Sequence, residues 1–111
     1  MSFSALGLSP GTVDLLSRLG YESPTPVQAR AIPPALEGRD VLARAETGTG
    51  KTAAFALPMI ERLVALPASR RPRGLVLVPT RELALQVQQT LRRLAERTPL
   101  RLLALVGGEA I

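Results

Sequence analysis

The chain has 111 residues, room for one modest core and too few for two domains. It contains no cysteine and no histidine, which excludes a disulfide framework and removes the usual thiolate and imidazole ligands of a metal site. Its net charge of +5 is built from arginine, with Lys51 the single lysine; basic balance favours phosphate-bearing partners, while the few aromatics (Phe3, Tyr21, Phe55) argue against a base-stacking surface.

Ser9-Pro10 reads as an N-cap followed by the first helical position, and Gly20 as a stop, predicting a helix over about residues 10–19. A second helix starts at Thr25-Pro26 and meets Pro33-Pro34, which should end or kink it. Asp40-Val41-Leu42-Ala43 fits a short buried parallel strand. A Gly-rich turn and a largely apolar helix from about Lys51 to Leu66 follow. Residues 67–73, Pro-Ala-Ser-Arg-Arg-Pro-Arg, form a surface loop by composition. The segment 74–78, Gly-Leu-Val-Leu-Val, is the clearest strand. Next comes an amphipathic helix over about Arg81 to Arg97, with Leu83, Val87, Leu91 and Leu94 on one face. Leu102 to Val106 reads as a third strand, closed by Gly107-Gly108. Strands alternating with helices across short connections predict an α/β fold with a parallel sheet flanked by helices.

Ala45-Glu46-Thr47-Gly48-Thr49-Gly50-Lys51-Thr52 lies between a predicted strand and a predicted helix, the context a phosphate-binding P-loop requires. Gly48 and Gly50 allow a tight turn without a Cβ to hold the backbone away from phosphates. Successive N–H groups and the helix N-terminus then supply partial positive charge. Lys51 is the residue type that reaches β- and γ-phosphates, and the Thr52 hydroxyl is a Mg²⁺ ligand. A P-loop specifies a nucleoside triphosphate and nothing narrower.

The stretch from Gly20-Tyr21 through Thr25-Pro26-Val27-Gln28 narrows it. It resembles the Q motif of DEAD-box ATP-dependent RNA helicases, including an isolated aromatic, Phe3, upstream of Gly20. Pro79-Thr80-Arg81-Glu82-Leu83-Ala84 is similar to that family's motif Ia, and Gly107-Gly108 to its GG element. The family's P-loop usually begins with alanine, as at Ala45. The resemblance covers essentially the whole chain and implies the front part of a RecA-like P-loop NTPase domain, with residues 1–38 as the Q-motif region and 39–111 carrying the P-loop, motif Ia and the GG element. Carried onto these positions, it implies that Gln28 reads adenine and Tyr21 stacks on it. Thr47, Gly48, Thr49, Gly50, Lys51 and Thr52 would hold the phosphates of ATP with Mg²⁺ on Thr52, and Lys51 and Thr52 would act at the reacting phosphate. Thr80, Arg81, Gly107 and Gly108 would hold RNA phosphates independently of sequence.

Plainer readings stand beside these. Thr25-x-x-Gln28 is equally a capping box. Tyr21 and Phe3 suit ordinary packing, Arg81-Glu82 suits a solvated first turn, and Gly107-Gly108 suits a simple turn. Arg70, Arg71 and Arg73 suit a solvated loop. Another P-loop enzyme, or a nucleotide- and RNA-binding module without turnover, are the alternative functions. The Asp-Glu-Ala-Asp element is not in the sequence, so the 111 residues alone are expected to bind adenine nucleotide weakly and not to hydrolyse it. In the family's sheet the P-loop and motif Ia strands are not neighbours, which predicts uncovered strand edges and self-association of the isolated chain. With no signal-like start and no apolar run near the roughly 20 residues that span a bilayer, a cytoplasmic chain without membrane contact is expected.

Overall fold

The computed structural model describes residues 1–46, 48 and 50–107. A 3-10 turn at Phe3–Leu6 leads into α1, Pro10–Arg18, capped by the Ser9 side chain accepting the Thr12 N–H. The helix ends in a Schellman turn. Gly20 takes φ 91°, the Tyr21 N–H donates to the Leu16 carbonyl at 2.9 Å, and the Gly20 N–H donates to that of Ser17 at 3.2 Å. This closure turns Tyr21 back against the core.

Helix α2, Pro26–Leu36, continues past Pro33 and Pro34 and ends two residues later. Each proline keeps a helical φ but forfeits its own N–H bond, and its ring crowds the carbonyl four residues back. Their carbonyls still accept, from Glu37 N–H at 3.3 Å and Arg39 N–H at 3.1 Å. The stop falls at Gly38 instead, with φ 86°.

Helices α3, Lys51–Val64, and α4, Arg81–Leu94, complete the helical set of the described residues. Along α4 the predicted stripe holds for Val87, Leu91 and Leu94, which are buried, whereas Leu83 is 36% exposed. Phe3, Leu16, Ile32, Leu57, Ile60 and Leu91 belong to one core that joins all four helices. Among the described residues no helix is long and apolar enough to cross a membrane.

The expected parallel sheet is not formed among the described residues, which contain no strand. A strand is a property of a pair, and no backbone hydrogen bond joins the segments 40–43, 74–78 and 102–106 to one another. Two of them nevertheless keep a strand's pleat. Val76 and Val78 are half-buried while Leu75 and Leu77 are 78% and 84% exposed. Leu102, Ala104 and Val106 are half-buried while Leu103 and Leu105 are 74% and 63% exposed. Each segment thus lays one face on the helices and shows an apolar second face.

Candidate functional site

Helix α3 begins differently from its neighbours. Ser9, Thr25 and Thr80 each cap their helix with a side-chain oxygen, but α3 starts on Gly50, which has no side chain to offer. The first-turn N–H groups of Lys51, Thr52 and Ala53 have no acceptor within the helix, as at any helix start. They remain available to an anion at the point where the helix dipole is positive. Lys51 is exposed and Thr52 half-buried at this opening. Gly48 and Gly50 both adopt left-handed φ, 86° and 82°, a conformation L side chains resist. Thr47 and Thr49 lie outside the described residues.

Gln28 is the only polar residue buried in the described core, 2% exposed. Its Oε1 accepts the Thr25 N–H at 3.0 Å while the Thr25 hydroxyl accepts the Gln28 N–H at 3.4 Å, so the capping box is present. Its Nε2 donates to the Gly50 carbonyl at 3.1 Å. One amide therefore ties the start of α2 to the residue on which α3 begins. The contact also accounts for Gly50 a second time. A Cβ there would lie 2.3 Å from Gln28 Nε2. These 22 residues of separation leave no mark in the sequence; the capping signature shows where Gln28 sits but not what its amide reaches.

Tyr21, half-buried, receives the buried Phe3 ring edge to face, with centroids 6.3 Å apart and planes at 78°. Such a pair is worth about 0.5–1.5 kcal/mol beyond burial, and it fixes the N-terminal 3-10 turn beside the Q-motif segment. Sequence reading missed a second brace. Glu61, on α3, accepts from the Ser9 N–H at 3.3 Å, from Ser9 Oγ at 2.9 Å and from the Thr12 hydroxyl. A carboxylate near the N-terminus of α1 is favoured by that helix's dipole.

The remaining candidates gather at the start of α4. Thr80 caps the helix by accepting the Leu83 N–H at 3.1 Å, which leaves its hydroxyl proton free to donate. Arg81 donates to the Gly107 carbonyl, joining the two segments picked out as phosphate contacts. Both Thr80 and Arg81 are exposed. Gly108 lies outside the described residues. Among the described residues no group of three His, Cys, Asp or Glu is placed to hold a metal ion.

Residues 25–111 match the family model described as DEAD/DEAH box helicase. The chain belongs to that family. This DEAD/DEAH box chain is 50% identical over 107 residues to the ATP-dependent rRNA helicase rrp3 of Emericella nidulans, covering 96% of this chain and 23% of that protein. It is 49% identical over 111 residues to the ATP-dependent RNA helicase SrmB of Escherichia coli, covering 98% of this chain and 25% of SrmB. Its fold is similar to that of the RNA helicase Prp28 from Chaetomium thermophilum bound to ADP, with a TM-score of 0.90, 38% identity, and coverage of 98% of this chain and 27% of that one. A DEAD box protein from Methanococcus jannaschii matches with a TM-score of 0.89 and 36% identity, over 99% of this chain and 30% of that one. The DEAD/DEAH box chain thus spans about a quarter of the length of these curated relatives.

Proposed function

We propose that this chain is the nucleotide-binding portion of an ATP-dependent RNA helicase, and that it couples recognition of adenine to the phosphate loop through Gln28. The observation that carries this reading is the buried Gln28 amide bridging Thr25 and the Gly50 carbonyl. A glutamine amide has two lone pairs and two N–H groups, so one of each remains after these bonds. Adenine offers the complementary donor and acceptor on adjacent atoms, whereas guanine reverses them. Tyr21, held by Phe3, supplies a flat surface for the base, an interaction of about 1–3 kcal/mol where aromatics stack on nucleobases.

The open first turn of α3 receives the phosphates, with Lys51 as the compact charge at the reacting end. Thr52 would offer its hydroxyl to Mg²⁺, which lends charge stabilisation to phosphoryl transfer when bound. Thr80, Arg81 and the backbone at Gly107 hold RNA phosphates, giving contacts that fix position without reading sequence. The second, apolar faces of the segments 74–78 and 102–106 favour association of the 111-residue chain with itself when nothing else covers them.

Thermal melts alone, with MgADP and with MgGDP test the reading. A transition raised by ADP and not by GDP, and lost in Lys51→Ala, is the expected result, since a ligand that binds only the folded state raises its stability. Equal shifts with both nucleotides would keep the phosphate loop and remove the base-reading role of Gln28.

A further inference from the structure

Three of the chain's arginines, Arg70, Arg71 and Arg73, lie together in one loop outside the proposed nucleotide site. The N-termini of α2 and α3 lie together, because Gln28 bonds Gly50. Their C-terminal ends also lie together, since a Cβ on Gly38 would be 3.6 Å from the Arg62 guanidinium. Gly74, at the start of its extended segment, faces Leu63 and Met59 at 3.0 and 3.4 Å from a Cβ position. That segment leads on to Thr80 and Arg81 at the start of α4. A helix of 14 residues spans about 21 Å, which sets the separation between the poles.

At the far pole the loop 67–73 carries Arg70, Arg71 and Arg73 without an acidic residue among them. Arg92 and Arg93 lie in the last turn of α4, and Arg101 follows it. The two on α4 gain from the helix dipole. The loop arginines have no such local reason. All six are exposed, and among the described residues none has a carboxylate within ion-pair distance. Arg73 donates one N–H to the Pro67 carbonyl and keeps four others. Of the acids near this pole, Glu37 is turned to Arg39 at 3.8 Å and Glu61 accepts from Ser9 and Thr12, leaving Asp40.

We infer that this arginine pole, centred on Arg70, Arg71 and Arg73, is a second contact for the phosphate backbone of an RNA strand, distinct from the Thr80–Arg81 site. The inference rests on the helicase reading for the nature of the polyanion. The pole has no aromatic residue, so it grips charge and not bases, and guanidinium forks suit phosphate oxygens. A strand held at Arg81 that extends past that site meets the pole only if it is long.

The test uses the full-length protein and uridine oligonucleotides, one short and one several-fold longer, with affinities measured across a salt series. In the triple variant Arg70→Gln, Arg71→Gln, Arg73→Gln, the long oligonucleotide should lose about 2 from the slope of log affinity against log salt, three contacts at about 0.7 each. The short one should be unchanged, and Arg→Lys at the same positions should restore the slope. An unchanged slope for the long oligonucleotide overturns the inference and leaves the helicase reading standing. Equal loss for both lengths also overturns it, because the loop would then belong to the Arg81 site. Loss of polyglutamate binding with RNA binding intact would assign the pole to an acidic protein instead. If the unmodified protein binds neither oligonucleotide, the helicase reading falls and takes this inference with it.

Discussion

Gln28 and Gly50 carry more of this molecule than their size suggests. Removing the Gln28 amide strands the Thr25 N–H, while the Gly50 carbonyl keeps its bond from the Ala54 N–H at 3.2 Å; a polar group left without its partner costs about 1–3 kcal/mol. Gln28→Ala should therefore lower the melting temperature and also shrink the preference for ADP over GDP, read as the ratio of the two nucleotide-induced shifts. A fall in stability with the preference intact would reduce Gln28 to a cap. Gly50→Ala combines a φ of 82° with a Cβ 2.3 Å from Gln28 Nε2. Left-handed backbone alone costs a non-glycine residue about 1–2 kcal/mol, and relieving the overlap requires moving Gln28. This variant should lose nucleotide binding in calorimetry even where circular dichroism shows the helices intact. Gly48 differs, since a Cβ there meets nothing within 4 Å, so Gly48→Ala should cost only the backbone term.

Helices α1 and α4 are tied by one exposed carboxylate. Asp14 accepts from Arg97 at 3.0 Å and from Arg18 at 3.1 Å, and those hydrogen bonds hold its carboxyl below the ordinary value of 3.8. A folded value below the unfolded one means that the contribution is complete above the unfolded value and fades as pH falls through the folded one. Asp14→Asn should therefore melt earlier than the parent at neutral pH, with the two curves converging below about pH 3.8. Added salt should narrow the gap, since the pair is at the surface. At the other end of α4, Thr80→Ala removes the cap on Leu83 N–H, a loss of about 1 kcal/mol in typical helices. Thr80→Ser keeps the cap, so a defect in RNA affinity shared by Ala and absent from Ser would follow the hydroxyl.

For the molecule as a whole, the balance between burial and exposure is uneven. The helices share one core, yet Leu42, Leu75, Leu77, Leu103 and Leu105 are each more than half exposed. Apolar surface of this kind seeks a cover. Sedimentation of the 111-residue chain should show species larger than a monomer that dissociate on dilution; a monodisperse monomer at all concentrations would reject self-association. Much of this architecture could be read locally. Ser9 and Thr25 announced two helix starts, because a cap is a contact between residues three apart; the Thr80 cap was not read. The glycine turn into α3 could be read because Gly48, Gly50 and Lys51 are close in sequence. Pro33-Pro34 did not stop α2 at once, and the helix ends two residues later at Leu36; a proline's cost is local, whereas the packing that offsets it is not. The strand pattern is present as a pleat in 74–78 and 102–106 but as no ladder among the described residues, since alternation is local and a ladder is not. What no local pattern held was the meeting of Gln28 with Gly50, of Arg81 with Gly107, and of Glu61 with Ser9. Each joins elements far apart in the chain, and only packing around a common core brings such pairs within hydrogen-bonding reach.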